Sequence, residues 1–262
     1  MKPLFEAEVM GRYPATYFQC PGCKLIKPSP VTWLEKAYAS AITDCDVGLV
    51  SRNFRNRRIL VPMFDLLLEE DDHILDVGGG YGLLCRVLRD CGFKMASTDP
   101  YCENLFAVGH EPKPDERYRM LCAFEVFEHL EDPMDFVRAQ MDKYSPDFFC
   151  FSTLCYEGAS APAKDWHYYA FETGQHISFY HAETLEQIAK EFGMHYFGLD
   201  AAYHLFHREP LTAGQLRLLK LHSWFSRFHY LWVSAKRRGK SLTAEDYENA
   251  RIQLRTSQKD AS

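Results

Sequence analysis

No stretch of this sequence approaches the roughly 18 consecutive apolar residues that mark a membrane-spanning helix. The opening, MKPLFEAEVMGRYPATYFQC, has neither a long apolar core nor a small-residue cleavage site, so no secretory leader is expected. An excess of positive charge is also missing. Lys and Arg number 30 against 36 Asp and Glu, a net charge of -6, which speaks against a general nucleic-acid binder. Internal repeats and low-complexity tracts are absent. The nine cysteines do not form a disulfide framework. Cys85, Cys91, Cys102, Cys122, Cys150 and Cys155 sit inside apolar runs, the pattern of reduced cysteines in a cytoplasmic protein. Cys20 and Cys23, in QCPGCK, have the spacing of a metal knuckle, but a structural zinc needs four ligands and no second CxxC exists. Cys45 or a histidine would have to complete such a site. Zinc is therefore not expected, and the pair reads as a turn packed on the domain.

What remains is the profile of a globular protein, with 47% hydrophobic and 25% charged residues over 262 positions. That length suits one large domain with extensions, or two small ones. Residues 1–30 read as turn-rich. Residues 31–47 read as a helix, with Trp33, Leu34, Ala37, Tyr38, Ala41 and Ile42 at helical spacing. A second helix is expected over 52–69, where Pro62 is a candidate kink. The pattern then changes. HILDV (73–77), KMASTD (94–99), YRMLCAFEVF (118–127) and DFFCFSTL (147–154) read as strands, as does the short HISFY (176–180). LLCRVLRDCG (83–92), DPMDFVRAQMDKY (132–144) and AETLEQIAKEFG (182–193) read as helices. Strand propensity closes this region at 194–206. Alternating strands and helices predict a doubly wound, mostly parallel α/β sheet. Residues 210–262 read as helical, with TAED (243–246) as a capping box that has aspartate in place of glutamate. The expected organisation is an N-terminal cap over 1–50, a central domain over 51–208 and a helical extension over 209–262.

The strongest motif is LDVGGGYG, which sets Asp76, Gly78, Gly80 and Gly82 at alternating positions. A strand must turn sharply into a helix here, and glycine lets both the turn and a ligand come close. The following strand ends at Asp99, where a carboxylate can accept both hydroxyls of a ribose. A dinucleotide fold prefers G-x-G-x-x-G, yet Leu83 occupies the third glycine position. The D-x-G-x-G-x-G form instead resembles the class I S-adenosylmethionine (SAM) methyltransferases. The resemblance extends through CAFEVFEHLEDP and GQHISFYHAETLEQIAKEFGM, over roughly residues 70–200. It implies a Rossmann-like fold and a SAM-dependent methyltransferase, with Asp76, Gly78, Gly80 and Gly82 on the cofactor and Asp99 on its ribose. The family's third strand would be reduced here to NLFAV (104–108).

FEVFEHLEDP (124–133) places Glu125, Glu128 and His129 among apolar residues. On one helical turn, positions i, i+3 and i+4 share a face. The E-x-x-E-H spelling resembles two methyltransferase groups, the ubiquinone-pathway O-methyltransferases and the enzymes that methylate the terminal ribose 2'-hydroxyl of small RNAs. In the latter, two glutamates and two histidines hold a divalent metal. The resemblance implies Glu125, Glu128, His129 and a later histidine as ligands for Mg²⁺ or Mn²⁺. His176 is the best fourth residue, ahead of His167 and His181. Without metal, Glu128 or His129 would orient the substrate or cap the next helix, and His129 or His176 would serve as general base.

KDWHYYAFETGQH (164–176) is dense in aromatic residues that stack on sugars or flat substrates. Trp166, Tyr168 and Trp33 are candidate acceptor contacts, and a packed lid is the alternative. HSWFSRFHYLWVSAKRRGK (222–240) reads as a packed C-terminal helix rather than a membrane-surface element. DWHYYAFETGQHISFY and the N-terminal WLEKAYASAI resemble segments of methyltransferases associated with glycan and polysaccharide pathways, which implies a sugar or glycan hydroxyl as the methyl acceptor. A phenolic or quinone-like metabolite, and a non-catalytic SAM-binding protein, are the alternatives. A homodimer is compatible with the sequence.

Overall fold

The computed structural model describes residues 1–38 and 47–260. The chain divides into two compact units, each discontinuous in sequence: Met1–Asp46 with Met120–Thr212, and Val47–Arg119 with Ala213–Ser262.

The first unit opens with an antiparallel sheet, β1 (Lys2–Val9), β2 (Tyr13–Gln19) and β3 (Ile26–Ser29). Alternation along these strands buries Ala7, Val9, Ala15, Tyr17 and Ile26. They share a core with Trp33, Tyr169, Ile177 and Phe179. The turn-rich reading of 1–30 is therefore corrected. Prolines at 3, 14 and 28 disguised the strands, but Pro14 lies beyond the stretch of β2 that β3 pairs with, so its missing N–H breaks no bond on that side. Of the helix expected over 31–47, α1 (Leu34–Ala37) is seen, and 39–46 lie outside the described residues.

Next come β6 (Tyr118–Ala123, whose first two residues belong to the second unit), α4 (Pro133–Tyr144), β7 (Phe148–Ser152), α5 (Ala182–Glu191), β8 (His195–Gly198) and β9 (Tyr203–His207). Every residue of β7 is buried, as a strand covered on both faces requires. Asp132 caps α4, its Oδ1 accepting from the N–H groups of Met134 and Asp135 at 2.9 and 3.0 Å. HISFY does not form a strand. It makes only a bridge from Phe179 to Ile26, while its backbone is drawn to Glu128.

The second unit contains α2 (Leu49–Leu67), β4 (His73–Val77), α3 (Leu83–Arg89), β5 (Lys94–Thr98), α6 (Ala213–Lys236) and α7 (Thr243–Asp260). Helices α2 and α6 pack together, with Lys236 and Arg237 on Asp65. NLFAV is a loop, not a reduced strand. Asn104 folds it by accepting from the Ala107 N–H (2.9 Å) and donating to the Ala107 carbonyl (2.7 Å). Asp246 does not complete a capping box either. Its carboxylate takes Arg89 Nε at 2.9 Å, Arg89 Nη2 at 2.5 Å and Arg86 Nη1 at 2.8 Å.

The six-stranded sheet runs β5-β4-β6-β7-β9-β8. β4 and β5 are parallel, β6 and β7 are parallel, and β9 is antiparallel to both β7 and β8. This is the Rossmann-like, mostly parallel arrangement expected from the alternation of elements. No helix among the described residues is long and apolar enough to cross a membrane.

Candidate active site

In the second unit, β4 runs directly into the glycine loop. Gly78 and Gly79 donate their N–H groups to the Thr98 carbonyl at 2.8 and 3.2 Å, which folds the loop back over β5. Gly80 donates to Asp99 Oδ2 at 2.9 Å, while Asp99 Oδ1 accepts from Tyr101 and Cys102 at 2.8 and 3.0 Å. Asp99 thus joins the glycine loop to the segment after β5 and remains partly exposed, so it can accept further hydroxyls.

Gly79, which the alternating motif passes over, has the tightest steric demand. A Cβ there would lie 2.2 Å from Ser97 Oγ and 2.7 Å from Asp76 Oδ2. Gly80, at φ +57°, has open space where its Cβ would be, so backbone is presented bare to any ligand. Asp76 is buried, and burial together with the neighbouring Asp99 charge pushes its carboxyl up to about 8. These features fit a cofactor with hydroxyls and a close-packed chain, and they place no demand for phosphate on the loop.

The other constellation lies wholly in the first unit. Glu125, Glu128 and His129 do not share an α-helical turn as expected. Glu125 takes a left-handed φ of +57°, and Phe127–His129 forms a single 3-10 turn. Ser152 holds Glu125 in this conformation. Its Oγ accepts from the Glu125 N–H and donates to Glu125 Oε1, both at 2.9 Å. The turn sends Glu128 inward to full burial, where its carbonyl accepts from Ile177 and Ser178 at 2.8 and 3.0 Å.

Those two bonds bring the segment after Gly174 alongside the turn. Ligand atoms of Glu128, His129 and His176 all lie within 4.8 Å of one another. Glu125, exposed and bonded to Ser152, is outside that group. His129 Nδ1 is 3.0 Å from the Gln175 carbonyl, and His176 Nδ1 is 2.8 Å from the Tyr168 carbonyl. A carbonyl only accepts, so each Nδ1 carries a proton and donates it there. Glu128 Oε1 accepts from the Tyr168 hydroxyl at 2.8 Å, whereas Oε2 is buried without a hydrogen-bond partner. Burial raises the Glu128 carboxyl above the ordinary range, opposed by His176, its own N–H and the Tyr168 and Thr153 hydroxyls. A buried carboxylate with one unpartnered oxygen, grouped with two imidazoles, is a donor set that fits a divalent cation.

The remaining candidates are placed elsewhere. His167 is exposed, and His181 caps α5 through Nδ1, which accepts from the Glu183 N–H at 3.2 Å. Trp33 is fully buried and donates from Nε1 to the Gly174 carbonyl at 2.7 Å, so it packs under the strand of chain that carries His176. Trp166 is partly exposed, with its ring centroid 5.3 Å from that of Tyr168. Tyr168 spends its hydroxyl inward, donating to Glu128 and accepting from the Leu154 N–H at 3.0 Å. Ser152, Gly79 and Asn104 were missed, because each acts through a contact that no local spacing announces. Cys20 and Cys23 belong to no group of three or more metal-ligating side chains among the described residues.

Residues 51–196, more than half of the chain, match a family model described as "Methyltransferase domain". No curated protein sequence matches. Among solved structures, TnmH is 16% identical, with 61% of this chain and 57% of that chain covered at a TM-score of 0.44. Human N-acetylserotonin methyltransferase in complex with SAM is 15% identical, with 59% and 52% covered at 0.45. Magnesium protoporphyrin IX methyltransferase from Synechocystis PCC 6803 is 12% identical, with 66% and 90% covered at 0.41. The match thus spans little more than half the length of the first two. With the glycine loop, the acid bonded to it and the strand order in place, the family match is decisive: the chain belongs to the methyltransferase-domain family, within the class I SAM-dependent methyltransferase superfamily.

Proposed function

We propose that the protein transfers the SAM methyl group to a hydroxyl of a sugar or glycan, assisted by a divalent metal. The observation that carries this reading is Glu128 Oε2, buried and unbonded, in a residue whose carboxylate groups with His129 and His176, their ligand atoms all within 4.8 Å of one another. Buried carboxylate oxygens are otherwise paired. Glu128, His129 and His176 would hold the ion, while Glu125, held by Ser152, stands outside the group. Two imidazoles with carboxylate oxygen favour Mn²⁺ over Mg²⁺. When bound, such an ion lowers the pKa of an acceptor hydroxyl and orients it.

The chain's own residues supply the rest. Asp76 and the glycine loop hold the methionine part of the cofactor, and Asp99 accepts its ribose hydroxyls. The Gln175 and Tyr168 carbonyls each hold an imidazole by its Nδ1. Residues 51–208 are taken as the methyltransferase domain, with 1–50 as a cap and 209–262 as a helical extension. The partly exposed Trp166 supports the sugar assignment, since aromatic faces stack on pyranose rings.

The deciding experiment is a calorimetric titration of Mn²⁺ and Mg²⁺ into chelator-stripped protein loaded with S-adenosylhomocysteine, with Glu128→Gln as control. One Mn²⁺ per chain, lost in the variant, is expected. Retained cofactor binding without metal binding would remove the ion and leave His129 and His176 as bases. Release of S-adenosylhomocysteine with monosaccharides, but not with catechols, is the expected acceptor preference. The reverse preference would favour the phenolic alternative.

A further inference from the structure

Helix α6 packs on α2 with one face and leaves an apolar face uncovered. Leu219, Tyr230 and Val233 are buried. At 3.6 residues per turn they share one side of the helix, while Leu218, Leu221, Phe228, Leu231 and Trp232 fall on the other, within an arc of about 140°. Those five are exposed, Phe228 by 73% and Trp232 by 64%. The N-terminal end of α2 extends the pattern, with Val50 and Phe54 exposed. Arg57 ties that end to α6, its guanidinium 5.6 Å from the Phe54 ring centroid and 5.3 Å from that of Tyr230. Single exposed apolar side chains are ordinary on a protein surface, but a helix-long row of them marks a docking surface.

The charge on this face decides what can cover it. Between Glu209 and Glu245 the chain holds no acid but seven Lys and Arg residues, in a protein of net charge -6. Arg217, Lys220 and Arg227 lie in or beside the same arc of α6, and all three are exposed. A second copy docked here would align two acid-free basic helices, because a two-fold contact sets one patch against itself. An anionic surface is the complementary partner. Aromatic rings and leucines bordered by cations, on a helix about 36 Å long, are the make-up of a helix that lies in the headgroup layer of a bilayer. The rings and leucines enter the acyl boundary while the cationic groups reach phosphate oxygens.

We propose that the outer face of α6, with Val50 and Phe54 of α2, is a peripheral docking site for a bilayer rich in anionic phospholipid. The helix lies along the bilayer plane and not across it, since no helix among the described residues is long and apolar enough to span a membrane. Lys236 and Arg237 pair with Asp65 and hold α6 on α2, so the outer face is already formed before any lipid arrives. Because α6 belongs to the unit that carries the glycine loop, docking holds that unit at the membrane surface. The inference is independent of the methyl acceptor and of any ion at Glu128.

The test is flotation of the full-length protein with phosphatidylcholine vesicles and with vesicles of equimolar phosphatidylcholine and phosphatidylglycerol. The protein is expected to rise with the anionic vesicles, to stay behind with the neutral ones, and to bind more weakly as salt is raised. Phe228→Gln combined with Trp232→Gln removes the outer rings and keeps good helix formers. It is expected to lower affinity for anionic vesicles at least roughly tenfold while keeping the parent's thermal midpoint. Should that variant fold poorly, the comparison of the two vesicle types with the unaltered protein gives the decision alone. Equal binding to both vesicle types, binding to neither, or a well-folded variant that floats like the parent would overturn the proposal. So would dimerisation that the variant abolishes, which assigns the face to a second copy, or capture by polyglutamate in place of vesicles, which assigns it to an acidic protein.

Discussion

Replacing Tyr168 with phenylalanine removes a single oxygen, yet that oxygen touches two elements of the proposed acceptor site. The hydroxyl holds Glu128 Oε1 and shields the Leu154 N–H. Burial and the Glu128 charge hold the phenol well above its usual range, so it remains a donor throughout the working pH range. Tyr168→Phe keeps the ring beside His176 and keeps the backbone carbonyl that fixes His176. It is expected to cost about 1–2 kcal/mol of stability from the two partners left unpaired. If Glu128 binds metal, Mn²⁺ affinity falls roughly 10–100-fold, as for lost outer-sphere partners generally. Urea denaturation and calorimetry check the two effects separately.

Asp76 yields a pH prediction. Its folded carboxyl titrates at about 8, against roughly 3.9 in an unfolded chain. The folded state therefore holds an extra proton between those values, and stability from this group declines as pH rises from about 4 through 8. Asp76→Asn, neutral at every pH, is expected to flatten the pH dependence of the urea midpoint between pH 5 and 9. Parallel curves for variant and parent would mean that Asp76 is ionised.

At the scale of elements, helix α7 is fixed through Asp246. Burial works against its charge, but the hydrogen bonds from Arg89 and Arg86 outweigh that and hold its carboxyl below the usual range. Its contribution is complete above the unfolded carboxylate pKa and is lost as pH falls through the folded value. Asp246→Asn leaves Arg89 poorly paired and is expected to destabilise the protein by about 3 kcal/mol at pH 7, with the difference shrinking in acid. The thermal midpoint measured against pH is the check. The same residue shows where sequence reading runs out. In TAED a threonine and an acid stand at capping distance, but the partner that claims the acid, Arg89, is 157 residues away. The central elements were legible because each carried its own punctuation, such as the glycine loop between HILDV and LLCRVLR. The N-terminal sheet was not, because Pro3, Pro14 and Pro28 lie inside its strands and look from sequence alone like turn residues. Glu125, Glu128 and His129 could be picked out by type, but the 3-10 turn depends on Ser152, a residue of another strand.

For the molecule as a whole, each compact unit carries one half of the proposed chemistry. The glycine loop and Asp99 lie in one, and the Glu128 cluster lies in the other. Substitutions within the cluster are accordingly expected to leave S-adenosylhomocysteine affinity within about twofold of the parent, since sites without shared partners behave additively. Neither unit is a continuous segment. A chain ending at Thr212 would lose α6 from its packing on α2 and, with α7, the Asp246 carboxylate that pairs with Arg89. Such a chain is expected to bind S-adenosylhomocysteine at least roughly tenfold more weakly and to melt earlier, both readable by calorimetry. Composition was informative at this scale mainly by exclusion. The acceptor stayed out of reach because its contacts come from segments that meet only in the fold.

The pairing of Arg89 with Asp246 also sets an order of events in time. Residues leave the ribosome from the N-terminus at roughly 5–20 per second. Helix α3, which carries the glycine loop on its leading end, therefore waits roughly 8–30 seconds for a counter-charge encoded 157 positions later. Until then Arg89 has to remain hydrated, and the surfaces that α6 and α7 will cover stay open to chaperones. The unit that carries the glycine loop closes only once α7 has been made, so a nascent chain stalled before it would present an unfinished loop rather than a premature enzyme.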